Sequence, residues 1–417
     1  MYQEQIERIE LLITSKRYEL AQSQLQQLLT ENADDSYLYY LLSSVKYNQN
    51  LQAEAEMLIN TAISLYPDSG FYFYFKACIH LAHEKYSEVE SLLLTAIALE
   101  PETAEFKAKM SQYKLLKKDF DGALSFANQS LEDDPENILA LNMRSTALLK
   151  LNRKDESFAT IEGALREDPE NSFTHGNYGW SLLEKGNHKK ALEHFRDALR
   201  YNPNNYNAQS GMVEALKASN FLYRGYLKYV FFMEKLSEKG QWIFILGFYF
   251  GSKLLRMLGE KVPVLEPYIF PIIVLLALFA FSTWIITPLS NLFFRFNSYA
   301  KFLLDKKEML SSTFVGVSLL VGIIGFAAYF ATSEDGFFGV AIFGLLMMVP
   351  LSHLFLLTKI KHLPIMVASL LFLLGTAGIY TVFVTENFYN FFTTIFIIIF
   401  IAYQWGLNFL MIRKGNI

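Results

Sequence analysis

Residues 172–205 read SFTHGNYGWSLLEKGNHKKALEHFRDALRYNPNN, and the spacing of five of them decides the fold of the first half of the chain. Gly179 takes position 8 of this stretch, Ala191 position 20, Phe195 position 24, Ala198 position 27 and Pro203 position 32. Small residues at 8, 20 and 27 let two helices approach closely, and the large apolar residue at 24 fills the space beside them. Proline lacks a backbone N–H and crowds the preceding turn, so it ends a helix. The stretch therefore predicts a helix, a turn and a second, antiparallel helix.

The same proline recurs outward from here. Pro67, Pro101, Pro135, Pro169 and Pro203 lie 34 residues apart. A fixed period of this length marks stacked helical hairpins that bury a core only together. The units are 36–69, 70–103, 104–137, 138–171 and 172–205. A sixth, 2–35, has Ala21, Leu25 and Leu28, with Ala33 in place of the proline. The inner units repeat the small and apolar places more loosely: Ala55, Ile59 and Ala62, then Val89, Leu93 and Ala96, then Ala123, Ala127 and Ser130, then Ser157, Ile161 and Ala164. Residues 206–220 predict a closing helix over the last unit.

This pattern resembles the tetratricopeptide repeat (TPR). The resemblance implies an all-α solenoid over residues 1–220, a concave groove lined by positions 2, 5, 9 and 12 of each first helix, and a protein- or peptide-binding role. Those positions supply Tyr37, Tyr40 and Tyr47, then Phe71 and Tyr74, then Glu105, Ala108 and Gln112, then Leu139, Asn142 and Thr146, then Phe173 and Trp180. Family members that grip a C-terminal carboxylate place Lys, Arg and Asn there. This chain lacks the basic members of that set, and Asn142 alone keeps a donor. The candidate groove, Tyr37, Tyr40, Tyr47, Phe71, Tyr74, Asn142, Phe173 and Trp180, suits an apolar or aromatic-rich peptide or helix, since aromatic rings give large contact area at low entropic cost. The same aromatics equally suit packing between helices, and both readings stand at this point.

Charge divides the chain. Residues 1–205 carry 21 Lys and Arg against 31 Asp and Glu, a net of −10, while residues 206–417 carry 16 against 10, a net of +6. An acidic first half argues against nucleic acid, whose phosphates need clustered cations. The single cysteine, Cys78, excludes an intramolecular disulfide and fits a reducing compartment. The start, Met1 to Arg8, is polar and acidic, without the basic and apolar regions of a signal peptide. The repeats are therefore expected in the cytoplasm.

Residues 221–267 form a connector. Phe221 to Leu236 mixes aromatics with spaced cations, a composition for the bilayer interface in which Arg224 and Lys228 reach lipid phosphates. The alternative is a helix packed on the end of the solenoid. Trp242 opens an apolar core of about ten residues, short for a span that needs ~20, and Lys253 and Arg256 follow it. Segment 242–258 is thus an interfacial helix, a re-entrant helix or a short span, with Trp242, Lys253 and Arg256 as interface residues. The block from Arg224 through Gln241-Trp242, Leu254-Leu255-Arg256 and Thr283-Trp284 to Pro288–Leu292 resembles a segment recurring in bacterial membrane proteins that carry such repeats. That resemblance implies a bacterial inner membrane and no particular chemistry.

Residues 268–417 hold five apolar runs, about 268–290, 312–332, 337–357, 364–384 and 391–412, each long enough to cross a bilayer core of ~30 Å as a helix. Their connections alternate in charge. Arg295, Lys301, Lys306 and Lys307 are followed by acidic Glu334 and Asp335, then basic Lys359, Lys361 and His362, then Glu386, then Arg413 and Lys414. The positive-inside rule places 291–311 and the C-terminus in the cytoplasm. With the repeats also cytoplasmic the number of spans is even, so 242–258 is expected to cross as the sixth. Lys253 and Arg256, near the outer face in that case, speak against it. Glycines at 316, 322, 325, 339, 344, 375 and 378 offer surfaces for close helix approach.

The runs contain no Asp, Glu, Lys or Arg, and transporters and intramembrane enzymes usually keep such groups at membrane depth. His353 reads as a hydrogen-bonded or interfacial histidine. Ser318 lacks the second glycine of a rhomboid-type nucleophile motif. No His-Glu-x-x-His, phosphate loop or dinucleotide fingerprint occurs. The expectation is a non-enzyme without cofactor or metal: a membrane-anchored scaffold or adaptor that binds a protein or peptide and assembles with a membrane-protein partner in secretion, insertion or envelope biogenesis. The alternatives are a transporter or membrane enzyme with a regulatory repeat domain, and a lipid-handling membrane protein.

Overall fold

A 34-residue beat runs through the helix starts of the computed structural model, which describes residues 2–295, 304, 306–355 and 362–414. The first helices of the hairpins are α1 (Tyr2–Thr14), α3 (Ser36–Asn48), α5 (Gly70–Ala82), α7 (Ala104–Leu116), α9 (Ile138–Lys150) and α11 (Ser172–Glu184). The second helices are α2 (Tyr18–Glu31), α4 (Gln52–Leu65), α6 (Val89–Leu99), α8 (Phe120–Asp133), α10 (Lys154–Glu167) and α12 (His188–Tyr201). A seventh beat opens α13 (Tyr206–Lys217), the closing helix. The fold is all-α, with no strand among the described residues.

The turn between the two helices of each hairpin is the same device six times. Lys16, Asn50, Glu84, Lys118, Asn152 and Gly186, again 34 residues apart, all have positive φ. The residue after each donates its N–H to the carbonyl five residues back: Arg17 to Leu12, Leu51 to Lys46, Lys85 to His80, Asp119 to Lys114, Arg153 to Leu148 and Asn187 to Leu182, at 2.8–2.9 Å. This is the Schellman closure, which satisfies a carbonyl that the helix end leaves open.

Inside the hairpins, position 8 is more than small. Ser43 Oγ donates to the Ala55 carbonyl at 2.7 Å, Ser111 to Ala123 at 2.7 Å and Ser145 to Ser157 at 3.0 Å, so the hydroxyl of position 8 is tied to the carbonyl of position 20. Ala55, Ile59, Ala62, Leu93, Ala96, Ala123, Ile161 and Ala164 are wholly buried. The small and apolar places read from the sequence thus form the core.

By contact the chain divides into two compact units: Met1–Ser181 with Asp197–Pro203, and Leu182–Arg196 with Asn204–Asn416. In the second unit the Phe195 ring lies over Gly211 of α13, where a Cβ would come within 2.3 Å of it. Tyr223 on α14 (Phe221–Lys235) donates to Glu214 of α13 at 2.7 Å. Next come α15 (Glu238–Lys261), a short 3-10 turn at Pro263–Leu265, α16 (Glu266–Phe294), α17 (Lys306–Thr332), α18 (Asp335–Ser352), α19 (His362–Thr385) and α20 (Phe391–Lys414).

Among the described residues five helices are long and apolar enough to cross a membrane: Lys239–Lys261, Glu266–Phe293, Lys306–Thr332, Asp335–Ser352 and His362–Thr385, with Phe391–Leu407 a shorter apolar stretch. Two expectations change. The short apolar core at 242–258 belongs to a continuous helix of 24 residues, about 36 Å long at 1.5 Å per residue, because Glu238–Gln241 and Gly259–Lys261 continue the same turns. The run expected over 337–357 ends its helix at Ser352, two residues beyond Pro350. Lys301, Lys359 and Lys361 lie outside the described residues.

Glycines set the closest approach in this unit. A Cβ on Gly325 would stand 2.5 Å from the Ala341 backbone nitrogen, and one on Gly344 would stand 2.4 Å from that of Gly322. Ser318 Oγ donates to the Gly344 carbonyl at 2.7 Å across the same α17–α18 seam. Gly375 faces the Phe343 ring, whereas Gly339 has only ordinary contacts and sets no approach.

Candidate functional site

The first unit carries an unbroken run of aromatic rings over three hairpins. Tyr40 on α3 is its hub: its ring centroid lies 5.6 Å from Tyr37, 5.1 Å from Phe71, 5.9 Å from Tyr72 and 5.1 Å from Phe75. Tyr47 meets Phe75 at 5.7 Å. Phe71 meets Tyr74 at 5.9 Å, and Tyr74 stacks on Phe106 at 4.9 Å. Edge-to-face and offset pairs at these separations contribute ~0.5–1.5 kcal/mol each beyond area burial.

Five of the aromatics read from the sequence, Tyr37, Tyr40, Tyr47, Phe71 and Tyr74, are therefore brought together. Tyr72, Phe75 and Phe106, at positions 3 and 6, complete the ladder from outside the groove positions 2, 5, 9 and 12. The unbroken ring run at 71–75 carries a signal for Tyr72 and Phe75, and Phe106 has no such ring run beside it. Much of the ladder is internal: Tyr74 is buried, and Tyr37, Tyr40 and Tyr47 are half-buried, while Phe71 remains 38% exposed.

The ladder is bordered by carboxylates. Tyr37 donates its phenol to Glu10 at 2.5 Å, and Tyr74 meets Glu105 at 3.5 Å. Burial first, then the bond to Glu10, holds the Tyr37 phenol above its ordinary range. Burial pushes Tyr40 up to about 12. Burial also raises Tyr74, with the thiol of Cys78 and Glu105 adding to it. All three stay neutral at physiological pH, and the acidic border disfavours a ligand that presents a carboxylate.

Asn142 is a correction. It is wholly buried. Its amide donates to the Ile138 carbonyl at 2.8 Å and to Thr174 Oγ1 at 2.9 Å, and its oxygen accepts from Asn177 at 2.9 Å. Its donors are used in joining α9 to α11, which leaves none for a ligand. Phe173 is 41% exposed and Trp180 half-buried on α11. No ring contact joins either of them to the Tyr40 ladder among the pairs described.

The connector residues separate into two environments. Arg224 and Lys228, one turn apart on α14, converge with Lys185 and His188 on a pocket of about 370 Å³. Burial first, then Arg224 and Lys189, pushes the His188 imidazole below its ordinary value. Trp242 stacks on Trp405 of α20, centroids 6.1 Å apart and planes 19° from parallel, so it is a helix–helix contact. Lys253 and Arg256 are exposed on α15.

Residues 172–205 match the family model of the tetratricopeptide repeat. No curated protein matches the chain. Among solved structures the chain is similar to a tetratricopeptide repeat protein from Parabacteroides merdae, at 15% identity over 55% of this chain and 90% of that one, TM-score 0.45. It is similar also to pilF of Pseudomonas aeruginosa, at 14% identity over 51% and 96%, TM-score 0.43. A third is YrrB, a TPR protein with an unusual peptide-binding site, at 18% identity over 44% and 95%, TM-score 0.34.

Proposed function

We propose that this chain is a non-catalytic, membrane-anchored repeat scaffold. Its solenoid binds an apolar or aromatic-rich peptide or helix from a protein partner. Helices α15–α20 hold it in a bacterial inner membrane, with the repeats and the C-terminus in the cytoplasm, and offer a surface to a membrane-protein partner. The observation that carries the reading is the aromatic ladder from Tyr37 to Phe106, which reaches the surface at Phe71 between two acidic borders. A ligand seated there would cover apolar surface and would meet the Glu10 and Glu105 carboxylates at its borders. The length of α15 supports an even number of spans. The basic pocket at Arg224 and Lys228 supports contact with phosphates at the interface.

The test is a peptide array probed with the detergent-solubilised full chain, wild type beside Phe71→Ala. Apolar and aromatic peptides are expected to bind and to lose about tenfold in affinity on truncation of Phe71, a loss of ~1.4 kcal/mol. Preference for acidic C-termini, or binding indifferent to Phe71, overturns the groove. The topology is tested separately in a Cys78→Ser background. Single cysteines near Glu334 and Asn387 should label from outside the cell, and one near Tyr2 only after permeabilisation.

A further inference from the structure

The polar end of the membrane-spanning unit holds a feature that a mere anchor does not need. Thr283, Thr287 and Asn291 recur every four residues along α16, placing a polar stripe on one helix face. Pro288 interrupts that helix's hydrogen-bond ladder. The carbonyl it leaves open, that of Trp284, is approached by Ser352 Oγ from α18 at 3.4 Å. Ser311 of α17 donates to the Ser352 carbonyl at 3.1 Å. These groups wall a cavity of about 610 Å³, closed on the α14 side by Tyr226 and Tyr229 and edged by Lys307.

Two side chains in the wall of this cavity are buried and incompletely bonded. Asn291 is 3% exposed and its Oδ1 has no hydrogen-bond partner among the described residues. His353 is 6% exposed and its Nδ1 lacks a partner of good geometry. A buried acceptor without a donor costs ~1–3 kcal/mol. The cost persists in a folded protein where something brings the missing donor.

A second cavity adjoins the first. A trough of about 690 Å³ runs between α17, α18 and α19, walled by Phe314, Val321, Phe343, Met347 and Phe372, and Phe355 stands in the walls of both. Both volumes fall in the range of small-molecule sites, ~300–1,000 Å³. One end is polar and holds the unpartnered Asn291 acceptor, the other is apolar, and Phe355 lines both. An occupant that satisfies both ends is an amphiphile with an acyl chain and a hydrogen-bonding head.

We infer that the two cavities together hold one phospholipid, its acyl chain in the trough and its head, bearing N–H or O–H donors, against Asn291 and His353. The unpartnered Asn291 oxygen selects the head: ethanolamine and glycerol heads bring a donor, and choline, with a quaternary nitrogen, brings none. Lys307 in the lining supplies a cation for the phosphate, and Glu308 beside it a carboxylate that faces the donors of the head. The head contacts are hydrogen bonds and the chain contacts are apolar, so no covalent step is involved.

The inference rests on the membrane embedding proposed above, and the experiment separates the two. The full chain is purified in mild detergent, reconstituted in nanodiscs of phosphatidylethanolamine mixed equally with phosphatidylcholine, and released for native mass spectrometry. One retained ethanolamine lipid per chain, favoured over choline about fivefold or more, is the expected result. Asn291→Leu should abolish the head preference, and Ser369→Phe, which fills the trough from its exposed lip, should abolish retention while leaving the melting temperature within a few degrees of wild type. Equal retention of the two lipids, or retention indifferent to both substitutions, overturns the inference and leaves the anchor reading intact. A chain that stays soluble without detergent overturns the embedding itself.

Discussion

The N–H of Asp119 donates to the carbonyl of Lys114 at 2.9 Å, and the residue that makes the bond possible, Lys118, sits at φ +59°. That conformation strains an L side chain and suits glycine or asparagine. The array places Asn at two of its six equivalent turns and Gly at one, but Lys at 16 and 118 and Glu at 84. Lys118→Gly and Glu84→Gly are each expected to stabilise by about 0.5–1 kcal/mol, the relieved strain being partly offset by greater freedom of the unfolded chain. Thermal melting of the detergent-solubilised chain, followed by circular dichroism at 222 nm, checks this. Gly186→Ala, at φ +90°, should shift the other way.

Ser111 reads as a spacer and acts as a tie. Its hydroxyl bonds the Ala123 carbonyl in a fully buried setting. Ser111→Ala should cost about 1 kcal/mol, since one neutral hydrogen bond is lost and the carbonyl keeps its place in α8. Ser111→Leu should cost ~1–3 kcal/mol more through overpacking. A smaller loss for leucine than for alanine in the same melting assay would show that the hairpin has room to spare.

The aromatic ladder makes opposite demands on stability and binding. Tyr40, ringed by four aromatics, is a packing residue, and Tyr40→Ala should cost about 3 kcal/mol. Phe71, at the surface end, should cost under about 1 kcal/mol of stability when truncated and should weaken peptide binding about tenfold. Measuring melting temperature and peptide Kd on both variants separates the roles.

Glu56 of α4 binds two residues, Lys85 Nζ at 2.7 Å and His80 Nε2 at 3.2 Å, and so ties α4 to α5 and to the turn after it. The Lys85 hydrogen bond holds its carboxyl below the usual carboxylate value. A depressed folded pKa gives stability that is present above the unfolded value, ~4.3, and lost as pH falls through the folded one. Glu56→Gln should therefore melt lower than wild type at pH 7, by under about 1 kcal/mol for so accessible a pair, and the difference should begin to narrow as pH falls below the unfolded value, ~4.3. A difference unchanged at pH 3.5 would assign the loss to packing.

The repeat period, the hairpins and the apolar helices were legible because each rests on composition repeated at a fixed spacing: proline at every thirty-fourth residue, small residues where helices cross, long runs without charge. Three features were not. The positive-φ turns are occupied by Lys and Glu as readily as by Gly, because a Schellman closure fixes the backbone whatever the side chain, so composition carries no sign of them. Asn142 looked like a donor awaiting a ligand, and only the neighbouring repeat, with Thr174 and Asn177, shows where its bonds go. The polar cavity joins residues from α14, α16, α17 and α18, and no short window of sequence contains it.

The α17–α18 seam, where glycine backbones touch and Ser318 reaches across to Gly344, also limits how this apolar helical unit can move. Two helices in backbone contact have no side-chain layer to shear, so sliding one past the other would break the hydrogen bond and collide main chains. The pair behaves as a single stave. Any breathing of the trough that opens on Phe343 must come from α19 swinging against that stave, with Gly375, which lies under the Phe343 ring, as its pivot.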